Sequence, residues 1–108
     1  MGPTLEIEVV RRGAELVLTG RLDARTAGMA RATVHHVIDS GQGDVLLRLG
    51  GLEIWDGAGL GVLAGAERRA RGCGRRVVLA DVTARQMRLL RATRLHRLFV
   101  IEPLAVAC

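Results

Sequence analysis

Apolar residues occupy alternate positions in two short runs near the start of the chain. They are Leu5, Ile7 and Val9 in the first run, and Leu16 and Leu18 in the second. Alternation with a period of two is typical of strands that bury one face. Arg12 and Gly13 separate the runs as turn residues, and Gly20 follows the second run. This part of the chain therefore predicts a β-hairpin that closes at Gly20.

The next apolar residues recur at three- and four-residue spacing, which indicates an amphipathic helix. They are Ala27, Ala30, Val34, Val37 and Ile38. Asp23 precedes them as the predicted N-terminal cap, and Ser40-Gly41 predicts the end of the helix. The apolar run from Val45 to Leu49 follows. Gly50 and Gly51 are expected to end it, so it predicts a short central strand with both faces covered.

Two more helices are predicted, one before and one after a run of β-branched residues. Asp56 is placed to cap a second helix, which Gly72 and Gly74 would end. Arg76 to Ala80 predicts a strand. Thr83 and Gln86 have the spacing of a capping box for a third helix through Thr93.

A last apolar stretch, from Leu95 to Ile101, is expected to return to the sheet and to end at Pro103. The resulting order is ββαβαβαβ. We therefore predict one α/β domain over residues 1–108, with a mixed, mainly parallel sheet flanked by helices and an N-terminal β-hairpin.

Charge and composition restrict the classes of partner. No apolar run approaches the roughly 20 residues needed to cross a bilayer, and no secretory signal is visible, so we expect a cytoplasmic protein without a membrane partner. The formal net charge is +5, and all sixteen basic residues are arginine. Basicity is typical of proteins with an acidic partner or nucleic acid, whereas the absence of lysine indicates a coding bias toward arginine that raises the charge without any ligand. One Trp, one Phe and no Tyr provide few stacking platforms, which argues against nucleic acid.

The residues that enzymes use are scarce in this chain. Ser40, the only serine, is expected to cap a helix end. His35 and His36 point about 100° apart on a helix, and His96 is isolated, so no metal site is predicted. The two cysteines, Cys73 and Cys108, are interpreted as free thiols. The sequence thus predicts neither an enzyme nor a bound cofactor.

Three glycines at the start of the second helix leave an alternative open. Gly57, Gly59 and Gly61 lie where backbone N–H groups attract anions, although their spacing matches no known phosphate loop. With Arg48 nearby, they would form the anion site of a small-molecule or nucleotide sensor.

The segment from Asp44 onward carries a resemblance that extends over nearly the whole chain. Its landmarks are Gly20-Arg21-Leu22-Asp23, the central strand, Asp56 with Gly59-Leu60-Gly61-Val62-Leu63, the basic end of the second helix with its glycines, and Leu95 to Phe99. In order and spacing they resemble the STAS domain, the fold shared by bacterial anti-sigma factor antagonists and the cytosolic tails of sulphate transporters.

The resemblance implies a regulatory module that binds an anti-sigma factor or a related kinase-type protein and thereby frees a sigma factor. In that family the acidic residue matching Asp56 is followed by two small hydroxyl residues, and the partner kinase phosphorylates the second. The phosphate adds about two negative charges to the contact surface and stops docking. Here Gly57 and Ala58 occupy those positions, so this switch is predicted to be missing. Arg48 is a second departure, because the central strand of the family commonly ends in aspartate.

Two interpretations follow from these departures. Either Ala58 leaves the domain permanently able to dock, or the domain has become a non-switching scaffold. The predicted partner surface consists of Asp23, Trp55, Asp56, Gly57, Ala58, Gly59 and Leu60. Trp55 fits a core position or an exposed anchor equally well. The Arg85, Arg88 and Arg91 face is the second candidate surface. Whether the domain acts alone, as a homodimer or in a larger assembly is left open.

Overall fold

A computed structural model describes residues 5–105 of the chain. Its elements are β1 (Leu5–Arg11), β2 (Glu15–Leu22), α1 (Ala27–Asp39), β3 (Val45–Ile54), α2 (Gly57–Gly72), β4 (Val77–Val82), α3 (Ala84–Ala92), a short 3₁₀ helix (Leu95–Leu98) and β5 (Val100–Pro103). The strands form one sheet in the order β1-β2-β3-β4-β5. β1 is antiparallel to β2, and the other neighbours are parallel. The predicted α/β class, hairpin and strand–helix order are confirmed.

The helices share one face of this sheet. Each parallel strand lies beside the one before it, and right-handed crossovers between such strands place the connecting helices on the same side. Leu16, Leu47 and Leu79 of three neighbouring strands are fully buried in a core that α1, α2 and α3 complete. Val17 and Arg48 alternate with these core residues, so they lie on the opposite face, where both are partly exposed.

The central strand is longer than predicted, because β3 continues through Gly50 and Gly51 to Ile54. The β2–β3 register shifts between Val17 and Thr19, beside this glycine pair. The side-chain amide of Gln86 donates to the carbonyl oxygens of Leu49 and Leu52, at 2.7 Å each. A side chain from α3 thus supplies hydrogen bonds where the strand is irregular, and the glycines do not end it.

Two further boundaries differ from the predictions, and one agrees. Asp23 does not cap α1, because a turn intervenes and Thr26 is the residue that precedes the helix. Gly20 does not close the hairpin but lies inside β2. β5 ends at Pro103, as predicted; this residue lies opposite Val82, whose carbonyl accepts a hydrogen bond from the Leu104 N–H at 2.9 Å. Proline fits there because β5 is an edge strand of the sheet.

Arg75, immediately before β4, has its guanidinium buried, and the residue is 3% exposed. Its nitrogens donate only to backbone carbonyls. The acceptors are Gly13 at 2.6 Å, Ile38 and Gly43 at 2.7 Å, and Val37 and Gln42 at 3.2 Å. These groups come from the hairpin turn, the C-terminal end of α1 and the loop before β3. One side chain therefore joins the hairpin turn and the stretch from the end of α1 into the next loop, both distant from Arg75 in sequence.

We predict that Arg75→Met lowers the free energy of unfolding by more than about 3 kcal/mol, because methionine leaves several buried carbonyls without donors. Arg76→Met is the matched control. Arg76 is exposed, so its loss is expected to cost less than about 0.5 kcal/mol. Urea unfolding followed by far-UV circular dichroism measures both changes. Equal effects of the two substitutions would contradict a structural role that is specific to Arg75.

Candidate functional site

Asp56 joins the two loops at the carboxyl ends of β2 and β3. One oxygen, Oδ1, accepts a hydrogen bond from the Gly59 N–H at 3.1 Å, which caps α2 as the sequence predicts. The other oxygen, Oδ2, accepts from the Ala24 N–H in the loop before α1, at 3.0 Å. The same carboxylate therefore starts a helix and fixes a neighbouring loop beside it.

Asp23 shapes the loop that Asp56 holds. Its Oδ1 accepts hydrogen bonds from the N–H groups of Arg25 and Thr26, at 2.9 and 3.2 Å. The Thr26 hydroxyl, in turn, donates to the Arg21 carbonyl at 3.0 Å. Such local bonds fold a short chain segment into a defined turn. Asp23 thus contributes to the candidate site by holding the β2–α1 loop in shape.

Trp55 is an exposed residue of this surface, with 55% of its area accessible. Its backbone N–H donates to the Leu22 carbonyl at 3.0 Å, which ties it to the end of β2. The Arg21 guanidinium lies 3.7 Å from the centre of the indole ring, in a cation–π arrangement. Of the two predicted roles for Trp55, the structure shows the exposed position and not the core one.

The first residues of α2 divide between surface and core. Gly57 is exposed, Ala58 and Leu60 are half-buried and contact the core, and Gly59 is buried. A Cβ atom at Gly59 would lie 2.8 Å from the Leu22 carbonyl oxygen, whereas one at Gly57 would meet nothing within 4 Å. Gly59 therefore positions the helix against β2, and the accessible part of the segment is formed by Trp55, Asp56, Gly57 and one side of Ala58.

Arg48 lies on the open face of the sheet, and its guanidinium is held by two carboxylates. It donates to Glu15 at 2.6 Å and to Asp81 at 3.1 Å. Asp81 adopts a left-handed backbone conformation (φ 56°) at the irregular end of β4. Because Arg48 faces away from α2, it does not join Gly57, Gly59 and Gly61 in the predicted anion site.

The other candidate groups lie away from this surface. Burial, followed by the nearby Arg69 charge, lowers the pKa of His35 on α1. Cys73 is exposed at the end of α2, and Cys108 lies outside the described residues. Within residues 5–105, no three His, Cys, Asp or Glu side chains are grouped as a metal ion would require. None of the helices described there combines the length and the apolarity needed to cross a membrane.

A family model described as "Mlab, STAS domain" matches residues 7–102. The chain belongs to this STAS-domain family. No curated protein matches the chain significantly. The family assignment agrees with the resemblance carried by the sequence landmarks.

Solved structures show the same fold at low sequence identity. An anti-sigma factor antagonist from Mycobacterium paratuberculosis is 22% identical, with a TM-score of 0.70 over 93% of this chain and 85% of that one. The phosphorylated form of the Bacillus cell fate determinant SpoIIAA is 19% identical, with a TM-score of 0.66 over 90% and 89%. A sulfate transporter family protein from Wolinella succinogenes is 19% identical, with a TM-score of 0.70 over 88% and 80%. The chain therefore has the fold of anti-sigma factor antagonists.

Two residues that shape this STAS surface were not predicted, because the residues next to them in sequence do not indicate their roles. Arg21 stacks on Trp55 from another strand, and Thr26 braces the loop through its hydroxyl. Sequence reasoning identified Asp56 because capping is a local signal. Its bond to Ala24 depends on the pairing of β2 with β3, which local patterns do not specify.

We predict opposite effects for two Gly→Ala substitutions in α2. Gly59→Ala is expected to lower the free energy of unfolding by about 2 kcal/mol, because its Cβ would overlap Leu22. Gly61→Ala, its matched control, has open space around the added methyl group and is expected to raise stability by up to about 1 kcal/mol. Chemical unfolding measures both values. A neutral Gly59→Ala would show that α2 does not need this close approach.

The Glu15 carboxyl predicts a pH dependence of stability. Hydrogen bonds from Arg48 and then from Arg11 lower its pKa below the ordinary value of 4.5. Because the folded-state pKa is depressed, the stabilisation is present above about pH 4.5 and is lost as pH falls through the folded-state value. Glu15→Gln should therefore destabilise the protein at pH 7 and remove part of the acid sensitivity seen in urea unfolding from pH 7 to pH 3. Glu8→Gln, at an exposed glutamate of β1, should leave that sensitivity unchanged.

Proposed function

We propose that this STAS domain is a regulatory protein-binding module of the anti-sigma factor antagonist type. It docks onto an anti-sigma factor or a related kinase-type protein through the β2–α1 loop, the β3–α2 loop and the start of α2. It catalyses no reaction of its own. The observation that carries the proposal is the double hydrogen bonding of Asp56, which holds the two loops together as one surface.

The geometry supports docking because the surface is held in place before any partner arrives. Asp56 and Asp23 fix both loops by hydrogen bonds to backbone N–H groups. Trp55 projects beside them with its ring stacked against Arg21. Surfaces that are ordered in advance lose less conformational entropy on binding, and exposed aromatic residues are frequent anchors in interfaces.

The same surface lacks the hydroxyl groups that a phosphorylation switch requires. Gly57 and Ala58 follow Asp56, and neither can accept a phosphoryl group. Ala58 is half-buried at the helix start, where a phosphate in other members would place about two negative charges on the contact surface. We infer that the domain stays competent to dock and that any regulation acts elsewhere, for example on the amount of protein or on the partner.

The test compares the native protein with Ala58→Asp, which introduces a carboxylate where the family carries its phosphate. A negative charge near a helix N-terminus is favourable, so this variant should remain folded. Ala32→Asp, on the exposed side of α1, is the matched control. Proteins captured from native cell extract are identified by mass spectrometry, and the captured partner is purified and titrated by calorimetry.

We expect to capture an anti-sigma factor or a kinase-type partner. Its affinity should fall at least about tenfold for Ala58→Asp, which corresponds to a loss of about 1.4 kcal/mol or more of binding free energy. For Ala32→Asp the affinity should fall less than twofold. A partner that binds all three proteins equally would contradict docking through this surface. It would favour the scaffold interpretation instead, with contacts on another face of the domain.

A further inference from the structure

Five arginines recur at intervals of three residues through α3 and the following 3₁₀ helix. They are Arg85, Arg88, Arg91, Arg94 and Arg97, here called the arginine ridge, and all five are exposed. None of them forms an ion pair with any acidic side chain among residues 5–105. Arg69 and Arg71 do form ion pairs, with Asp39 and Glu67, whereas Arg31 and Arg76 are exposed without one in the described part of the chain, so what distinguishes the five is their number within one short segment. The ridge is therefore a concentration of positive charge that the domain itself leaves unbalanced.

An apolar groove borders the ridge. This β3–α3 groove, of about 570 Å³, has Leu52, Ile54, Trp55 and Leu89 as its apolar lining and is bordered by Arg85 and Arg88. Its polar floor groups are already satisfied, because the Gln86 side chain bonds to the carbonyls of Leu49 and Leu52 and to the Thr83 N–H. What remains for a ligand is an apolar surface, two arginines on the rim and a single carboxylate, Glu53.

The groove is continuous with the docking surface, because Trp55 belongs to both. Asp56 follows Trp55 directly, so a protein seated on the start of α2 has the groove next to it. Arg91 lines a second surface depression with Ala84 and Met87, on another side of α3, so it does not border the groove. A polypeptide segment that leaves the docking surface at Trp55 enters the groove next and contacts Arg85 and Arg88.

The combination of an apolar groove with bordering arginines favours an acidic polypeptide over a nucleic acid as the ligand. The phosphate backbone of a nucleic acid would contact the arginines but would make no favourable contact with the apolar side chains of Leu52, Ile54 and Leu89. Base stacking needs exposed aromatic rings, and besides Trp55 the only other aromatic of this class, Phe99, is buried. A segment with apolar side chains on one side and carboxylates on the other matches both the groove and its rim.

We propose that the β3–α3 groove binds an acidic amphipathic segment of the protein partner. Apolar side chains of that segment lie against Leu52, Ile54 and Leu89 beside the Trp55 ring, and its carboxylates face Arg85 and Arg88. The inference rests on the proposed function for the partner being a protein, and it adds the chemistry by which that partner is recognised.

Trp55 provides a direct readout, because it is the only tryptophan in a chain without tyrosine. The probe is a synthetic helical peptide of about 18 residues, with leucines at three- and four-residue spacing and glutamates on the other side. We expect saturable binding with a blue shift of the Trp55 emission. Two matched peptides, with glutamine replacing glutamate or serine replacing leucine, should bind at least about tenfold more weakly.

The protein variants separate a specific site from general charge attraction. Arg85→Glu/Arg88→Glu should weaken binding of the acidic peptide at least tenfold. Arg31→Glu/Arg76→Glu makes the same change in net charge at two exposed arginines on α1 and before β4, and it should change the affinity less than twofold. Circular dichroism verifies that both double variants are folded.

Several results would overturn the proposal. They are failure of the acidic peptide to bind at millimolar concentration, equal binding of the serine-substituted peptide, and equal loss in both double variants. Tighter binding of a DNA or RNA oligonucleotide, lost in Arg85→Glu/Arg88→Glu, would assign the ridge to nucleic acid instead.

The native partner distinguishes failure of this inference from failure of the proposed function. A partner that Ala58→Asp releases but Arg85→Glu/Arg88→Glu retains at full affinity would leave the docking surface in place and remove the groove from it. A partner released by both variants, with Arg31→Glu/Arg76→Glu still binding, would support the two together.

Discussion

At one end of the domain, the loops are held together by hydrogen bonds from the buried guanidinium of Arg75. Elsewhere in the domain, apolar side chains provide the packing. Five carbonyl oxygens, one from the hairpin turn and four from residues 37–43, meet at its nitrogens, and the planar fork of an arginine reaches them at once where a lysine could not. Close contact of the backbone accompanies this arrangement, because a Cβ atom on Gly41 would collide with the Gly13 carbonyl. Glu67, 2% exposed, acts similarly by accepting from the Val77 N–H at 2.9 Å, so the amino ends of the parallel strands are fixed by buried polar contacts.

At the opposite end of the sheet, side chains again hold the loops by hydrogen bonds to the backbone, but these bonds are exposed and therefore weaker. Asp56 and Asp23 also bond to backbone groups, but both are accessible to water, so their bonds stabilise less than the buried ones do. Such an arrangement orders the loops without closing them. The carboxyl ends of parallel strands are where α/β domains usually bind their ligands, and here the loops at that edge are positioned by a core and a set of buried contacts that lie elsewhere.

Local sequence signals accounted for most elements and for few of the contacts between them. Period-two and helical spacing indicated the strands and helices, and the Thr83–Gln86 capping box was confirmed. The same signals did not single out Arg75, which is buried although Arg76 beside it is exposed. They also ended β3 at Gly50, because the two hydrogen bonds from Gln86 that support the irregular strand come from a helix far along the chain. Bonds of this kind depend on which segments the finished fold brings together.

Two glycines on α2 have no structural explanation within the described part of the domain. Gly59 has an internal explanation in the Leu22 contact, but a Cβ atom at Gly61 or Gly65 would meet nothing within 4 Å. Each glycine in a helix interior costs about 1 kcal/mol relative to alanine, so the isolated domain has no structural gain from either. A flat helix surface allows the backbone of another molecule to approach closely. Gly61 and Gly65 lower the stability of the isolated domain relative to alanine at the same positions. This cost is consistent with a helix whose surface is shaped for a partner, and α2 is also the helix that Asp56 caps.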